Sequence, residues 1–340
     1  MMLASLQSRL YDLVRRDTFL PRFHFLAIGL LGIMLLLLPQ LTGLVLVGLF
    51  TRIFVLAVFG MSYDLLRGYA GIINLGHALF FGGGTYIAGI VFANYGTSPT
   101  MLGLAVLGTT AYAMLAALLM GKIAFRRGNV VACAMITLAL GEIVRQIAES
   151  WRAVTHGADG LTFPIPMMFR DRVALYYYAL AFMVIMMLAL RQFIMSPTGR
   201  VLLAIRENEQ RAIFLGYNTA SYKLVALQVA GVVCGWSGVM FALTSRFANT
   251  ELLTVQQTLN ALLVTIVGGT GTLYGAIVGT AFVQLAQHTL LGLRGVHLIF
   301  ERWLLFFGAI YVFVVLFMPT GIVGLYQRLI SHWLKPVKPR

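Results

Sequence analysis

Few polar residues in this chain could perform chemistry, and two of the best candidates lie at the end of a glycine-rich segment. They are Asn74 and His77, which fall within residues 68–77. Ionisable residues inside a membrane are usually functional, so the pair could line a pathway from an unwound turn. A single histidine can equally hydrogen-bond between helices, and glycines can simply allow tight helix packing. Both interpretations are open from the residues themselves.

Enzymatic chemistry has no support among the motifs. The sequence contains no G-x-x-x-x-G-K-S/T phosphate loop, no H-E-x-x-H and no G-x-S-x-G. The two cysteines, Cys133 and Cys234, lie in apolar stretches and predict neither a disulfide nor a metal site. We therefore expect no catalytic residue, metal or cofactor here, and any ATP hydrolysis would come from another subunit.

The elements that must position these residues are membrane-spanning helices. The 340 residues are 60% hydrophobic and only 11% charged, whereas a soluble domain carries roughly 25% charged residues. The apolar residues come in blocks of about 15 to 25, the length that crosses the hydrocarbon layer of a bilayer. The predicted fold class is all-α, a polytopic transmembrane helical bundle that forms one domain over residues 1–340.

The apolar blocks predict about ten helical spans. They lie at 24–40, 43–66, 75–95, 101–121, 129–148, 174–194, 223–245, 255–269, 275–292 and 300–318. The first is expected to be a retained helix, since many spans follow it. Glycines between residues 268 and 275 interrupt the eighth and ninth spans, so this region could form a broken or re-entrant helix.

The charges orient the spans. With the N-terminus inside, most of the 25 lysines and arginines fall in the inner segments, as the positive-inside rule predicts. Both termini are therefore expected in the cytoplasm, as a basic N-terminal segment, 1–23, and a basic tail, 319–340. This distribution accounts for the net charge of +14 at a lipid membrane without any binding of nucleic acid.

Two connections are long enough to carry structure of their own. Residues 149–173 are expected to face outward as an ordered loop, because they contain several glycines and prolines. Residues 195–222 are expected to face the cytoplasm, with helical character from Val201 to Leu215. A short helix on a cytoplasmic loop is marginal unless it packs on something, so we expect it to dock on a soluble partner. The alternative is a solvated loop.

The motif G-Y-A-G-x-x-N-L-G-H-A-x-F-F-G-x-G-x-Y at residues 68–86 resembles the signature of the branched-chain amino-acid permease family of ABC importers. Further blocks similar to that family lie at 126–128, 134–138, 141–145, 155–161, 196–200, 204–209, 215–216, 267–275 and 319–321. They follow the family's order over nearly the whole chain. The long outward loop resembles that of one member of a heteromeric permease pair.

The resemblance implies a permease that forms half of the pathway for branched-chain or related amino acids. The implied partners are a sister permease, two cytoplasmic ABC ATPases and an extracytoplasmic substrate-binding protein, in a bacterial-type inner membrane. ATP would close the ATPase pair and shift the permease between inward-facing and outward-facing states. Urea, short amides or aromatic acids are alternative substrates, because nothing in the chain distinguishes them from leucine.

Two sets of candidate site residues follow. Coupling to the ATPase is expected from Gly199, Arg200, Arg206, Glu207, Glu209, Ala212, Leu215 and Gly216. The translocation pathway is expected to include Asn74, His77, Tyr86, Thr137, Gly268, Gly269 and Gly271. The E-A-A-x-x-x-G pattern that many ABC permeases carry in this loop is matched only by Ala212 and Gly216, and the charged residues would form ion pairs with the partner.

An ion-coupled secondary transporter or channel is the main alternative class. Glycine-broken helices would suit it, but it predicts a carboxylate or ion site near the membrane midplane. No carboxylate lies near the centre of a predicted span. Glu142 with Arg145, and Asp64 with Arg67, lie toward span ends and are expected to form helix-face ion pairs.

Overall fold

The computed structural model describes residues 34–125, 130–292 and 321–325, together with Gly32, Gly308 and Val312. Two compact units are distinguished, Met1–Gly48 and Leu49–Arg340. In the first unit, the described residues 34–41 are helical, within the first predicted span. The predicted tenth span, 300–318, lies outside the continuously described ranges.

From Leu44 to Gly292 the described chain is a series of helices, joined by short connections except for the loop between Ser150 and Arg172. They are α1 (Leu44–Asp64), a π-helical turn (Leu65–Tyr69), α2 (Ala78–Tyr95), α3 (Pro99–Ala124), α4 (Val130–Ser150), α5 (Arg172–Met195), α6 (Pro197–Glu207), α7 (Glu209–Phe214), α8 (Thr219–Ser245), α9 (Val255–Gly268) and α10 (Leu273–Gly292). The all-α, polytopic fold is confirmed by this order.

Six of these helices are long and apolar enough to cross a membrane: α1 with its π-turn, α2, α3, α4, α5 and α8. Helices α9 and α10 pass the same test only together, bent by 108° at a short break, which gives up to seven spans among the described residues. This bend agrees with the expected broken helix. The total of about ten spans and the cytoplasmic position of both termini remain predictions.

The centre of the bundle is the packing of α8 against α2 and α3. Glycines let these helices touch: a Cβ atom at Gly84 would overlap the carbonyl of Gly235, and one at Gly238 would overlap that of Phe81. The Thr85 hydroxyl donates to the Gly238 carbonyl across the same contact, at 3.0 Å. The glycines after His77 therefore serve close helix packing, as small residues do in membrane proteins.

One end of the bundle is closed by the ordered loop after α4. It contains a helical turn (Arg152–Thr155), two 3₁₀ turns (Gly157–Asp159 and Met167–Phe169) and a two-residue strand, β1 (Leu161–Thr162). Strand β1 pairs antiparallel with β2 (Phe247–Ala248), which follows α8. We refer to this end as the loop pole. Such short strands leave no alternating pattern in the sequence, so the pairing could not be predicted.

The opposite end carries the segment between α5 and α8, and we call it the coupling pole. The Ser196 hydroxyl caps α6 by accepting from the Gly199 amide at 3.2 Å. The Asn208 side chain caps α7 by accepting from the Arg211 amide at 2.9 Å. The helical character expected from Val201 to Leu215 is present, and the extended Asn208, with φ of −159°, divides it. It is two helices with a cap between them.

Candidate functional site

The site is built around an unwound segment, residues 70–77, between the π-turn and α2. Non-helical backbone at membrane depth survives only where protein supplies its hydrogen bonds. The amide of Leu75 donates to the Thr137 hydroxyl at 3.1 Å. The amide of Ala78 donates to the Thr258 hydroxyl at 2.9 Å. Two threonines from distant helices, α4 and α9, thus satisfy the backbone of the unwound segment.

His77 ends this segment, directly before α2, and is fully buried. The Ser62 hydroxyl already donates to the Phe59 carbonyl at 2.7 Å, so we assign the proton to Nε2 of His77, which donates to the Ser62 oxygen at 2.9 Å. Nδ1 is then left to accept from the Asn74 amide at 3.4 Å. In this conformation His77 makes the contacts of an interhelical hydrogen-bonder, and its role in a pathway remains a prediction.

Of the other predicted pathway residues, two lie beside His77 and the rest lie elsewhere in the bundle. Asn74 and Thr137 adjoin His77: the Asn74 side chain also accepts from the Gly76 amide at 3.0 Å, and a Cβ atom at Gly76 would overlap the Thr137 carbonyl. Tyr86 lies farther along α2, in the hydrophobic cluster near the loop pole. Its hydroxyl is buried and has no hydrogen-bond partner among the described residues.

The predicted glycines 268, 269 and 271 form the turn between α9 and α10 at the coupling pole. Gly269 and Gly271 have φ of 121° and 79°, which favour glycine over any other residue. A Cβ atom at Gly268 would overlap the carbonyl of Gly275, so α9 and α10 meet backbone to backbone. The Thr272 hydroxyl closes the turn by donating to the Gly269 carbonyl at 2.8 Å.

Asp64, at the end of α1, holds this glycine turn in place. Its Oδ1 accepts from the amide of Gly271 at 2.8 Å, and the side chain is fully buried. The sequence treated Asp64 only as a partner of Arg67 and missed this contact. The sequence did contain a signal for this contact: a carboxylate beside one glycine-rich segment, and a second glycine-rich segment later in the chain. A buried carboxylate needs hydrogen-bond donors, and the backbone amides of a glycine turn can supply them.

The coupling residues differ in exposure. Gly199 and Ala212 are buried, and a Cβ atom at Gly199 would overlap the carbonyl of Ile194. Arg200, Arg206, Glu207, Leu215 and Gly216 are exposed. Glu209 is engaged within the chain, because its Oε1 lies 2.5 Å from Nζ of Lys223 on α8.

Arg206 is the coupling residue that reaches back into the bundle. Its guanidinium Nη1 donates to the carbonyl of Gly68 in the π-turn. Its aliphatic stem lies against Gly71, where a Cβ atom would be 3.2 Å from the Arg206 Cγ. The structure thereby joins the predicted coupling segment to the glycine-rich motif, and the sequence analysis did not predict this contact.

An apolar surface at the end of α7 was not predicted. It consists of Ile213, Phe214, Leu215 and Tyr217, and we call it the α7 apolar patch. Phe214 is 86% exposed and Leu215 is 71% exposed. The signal in the sequence was the run I-F-L-G-Y at residues 213–217, within an otherwise polar connection.

A ladder of charges runs along α4. Arg145 lies 2.5 Å from both Glu142 and Glu149, which confirms the expected Glu142–Arg145 pair and extends it by one carboxylate. The Glu142 side chain is 51% exposed in this chain. Among the described residues, no group of three or more metal-ligating side chains could hold an ion.

A bundle of six or seven helices apolar enough to span a membrane, with an unwound segment and a broken helix pair among the described residues, defines a polytopic membrane protein. The family described as branched-chain amino acid transport system, permease component, matches residues 45–316. The chain belongs to this family, so the resemblance seen in the sequence is confirmed. It is a permease of an ABC importer and a multi-pass protein of the inner membrane.

Individual relatives agree. The high-affinity branched-chain amino acid transport system permease protein LivM of Salmonella typhimurium strain LT2 is 25% identical over 303 residues, 80% of this chain and 68% of that protein. LivM of Escherichia coli strain K12 is 25% identical over 296 residues, 78% and 67% respectively. The autoinducer 2 import system permease protein LsrC of Photorhabdus laumondii is 33% identical over 93 residues, 26% and 28%. No solved structure matches the chain significantly.

Proposed function

We propose that this chain forms half of the translocation pathway of an importer for branched-chain or related amino acids. The observation that carries the proposal is the family match over residues 45–316, together with two LivM relatives that cover more than three quarters of the chain. Urea, short amides or aromatic acids are the alternative cargo. The affinity-setting pocket of such an importer lies in its binding protein, so the permease only has to offer a weak route.

We propose that the coupling pole faces the cytoplasm and carries the ATPase. The arginines in the segment 195–222 support this orientation under the positive-inside rule. The ATPase would bind the α7 apolar patch as its buried anchor, with exposed Arg200 and Glu207 at the rim. Large apolar anchors supply most of the binding free energy at protein interfaces, whereas rim charges mainly set orientation.

The sister permease would cover the exposed face of α4. A charged ladder on a long apolar helix is poorly suited to lipid. Glu142 is half exposed in this chain and would be sheltered by a second subunit or by water in a pathway between the two. We therefore propose that the pair assembles with Glu142, Arg145 and Glu149 toward the shared interior, and that the loop pole meets the binding protein.

The pathway residues support a state in which the route is closed within this subunit. Asn74, His77 and Thr137 are buried, and their polar atoms bond to each other and to the unwound backbone. Opening would have to separate α1, α2 and α4 at this point. Asp64, a buried carboxylate of the kind that an ion-coupled alternative would need, accepts from the Gly271 amide through its Oδ1.

The test is reconstitution in proteoliposomes with the sister permease, the ATPase pair and the binding protein, followed by uptake of labelled leucine, urea and benzoate. We expect uptake of leucine that requires ATP and every partner. Uptake of urea or benzoate in place of leucine would change the proposed substrate but leave the assignment as an ABC importer intact. Uptake by this chain alone without ATP would exclude the ABC mechanism and favour a secondary transporter or channel.

A further inference from the structure

One helix and two irregular backbone segments meet at one point of the coupling pole. They are helix α6, the π-turn after α1, and the glycine turn between α9 and α10. The contacts that join them are Arg206 to the Gly68 carbonyl and Asp64 to the Gly271 amide. We infer that Arg206 is the positioning residue that transmits movement of α6 to the glycine turn through Gly68, Gly271 and Asp64.

The π-turn and the glycine turn are in direct backbone contact. A Cβ atom at Gly68 would overlap both the Asp64 carboxylate and the amide of Gly271, and it would lie 2.8 Å from the Gly271 Cα. A Cβ atom at Gly271 would lie 3.2 Å from both the Gly68 carbonyl oxygen and Nη1 of Arg206. Because no side chain cushions this contact, a shift of the π-turn must move the glycine turn as well.

The Gly68 carbonyl suits a guanidinium. The chain leaves its helix at residue 70, so the last carbonyls of the π-turn have no following helical amide to accept from. A helix C-terminus carries partial negative charge and favours a cation. Arginine adds several donors in a fixed plane, which orients α6 against the turn in a way that a lysine ammonium does not.

Helix α6 has the two faces that a transmitting element needs. Leu202 and Ile205 are buried against the bundle, while Arg200 and Glu207 point away from it and are exposed. A helix held by a partner on its outer face moves as a rigid unit, and the backbone it can most easily displace is irregular backbone. Single π-turns are frequent at functional sites.

This inference rests on the proposed function, since α6 must be moved by an ATPase. The coupling free energies of two-state devices correspond to about 5- to 150-fold changes. Loss of one link should therefore reduce uptake per ATP hydrolysed without removing the ATPase from the complex. That pattern separates a transmitting residue from a docking residue, whose loss would release the ATPase.

The experiment uses the full complex in proteoliposomes and compares Arg206→Ala and Arg206→Lys with Arg191→Ala, a basic residue of α5 outside these contacts. ATPase co-purification, ATP hydrolysis and leucine uptake are measured for each. We expect Arg206→Ala to retain the ATPase and hydrolyse ATP while uptake per ATP falls about tenfold, and Arg206→Lys to fall less. Arg191→Ala should match the wild type.

Wild-type uptake per ATP in Arg206→Ala would overturn the inference, and so would loss of the ATPase from that variant. If the Arg206→Ala permease itself did not fold, Arg206→Lys would decide by the same two readouts. Absence of ATP-dependent uptake in the wild-type complex would instead count against the proposed function. The two failures are therefore distinguishable in one series of measurements.

Discussion

The hydroxyl of Thr137 on α4 accepts a hydrogen bond from the amide of Leu75, 62 residues earlier in the chain, at 3.1 Å. The same hydroxyl donates to the Ala134 carbonyl at 2.9 Å, so one side chain satisfies its own helix and the unwound segment together. This contact ties the motif that carries the family signature to the helix that carries the charged ladder.

We predict that Thr137→Val destabilises the permease by about 1 kcal/mol or more, because it leaves the partly buried Leu75 amide without its acceptor. Thermal unfolding of the purified chain in detergent would measure the change. Thr137→Ser keeps the hydroxyl and should lose much less. Equal stability of the valine and serine variants would show that Leu75 finds another acceptor, such as water.

Glycine at position 68 is predicted to be essential for folding or assembly. Gly68→Ala should sharply lower the yield of folded protein, since its Cβ atom would overlap the backbone of Gly271. Gly103→Ala on α3 is the matched control, because no atom lies within 4 Å of the Cβ position there. Its effect should stay within about 1 kcal/mol and favour the helix. Size-exclusion profiles in detergent would compare the two.

The fold class could be predicted from the sequence because long apolar blocks recur along the whole chain. Every span from residue 44 to residue 292 was predicted to within about five residues of its helix, including Val255–Gly268 and Leu273–Gly292 as separate segments around a glycine break. Long apolar blocks have few alternatives once a bilayer is the solvent. The helix break at Asn208 was missed, because a cap depends on one side chain rather than on a repeated pattern.

The candidate site residues could be predicted from the sequence, but their contacts could not. Motifs identified the residues, but contacts between residues far apart in sequence decide what each one touches. Arg206 was expected to contact a partner, and within this chain it contacts Gly68, 138 residues away. Glu209 was expected at the rim and is engaged by Lys223. A single sequence gives residue types and local periodicity, and neither contains the identity of a long-range partner.

Phe214 is predicted to anchor the ATPase. Phe214→Ala should weaken the interface by about 2 kcal/mol or more, as expected for a large exposed aromatic anchor. The measurement is the amount of ATPase retained when the complex is purified through this chain. Leu107→Ala, on the exposed face of α3, removes a similarly exposed apolar side chain and should retain the ATPase fully. Full retention in Phe214→Ala would move the docking face away from the α7 apolar patch.

Cysteines at positions 71 and 206 should form a disulfide in the resting complex. A Cβ atom at Gly71 would lie 3.4 Å from the Cβ of Arg206, close to the separation of roughly 3.5 to 4.5 Å found in disulfides. Position 71 has φ of 70°, so the cysteine costs about 1 to 2 kcal/mol there, and retained assembly must be checked first. Native Cys133 and Cys234 are both buried and should not compete.

The disulfide would report movement as well as proximity. Gly71→Cys with Arg206→Cys should cross-link under mild oxidation, as detected by mass spectrometry of the joined peptides, whereas each single variant should not. Trapping the ATPase with ATP and vanadate should slow the reaction, because Arg206→Cys removes the guanidinium link to Gly68 and α6 would then shift without the unwound segment. An absent cross-link in the assembled resting complex would contradict the contact itself. An equal rate in both states would mean that α6 and the unwound segment move together without the Arg206 guanidinium, and that another contact carries the movement.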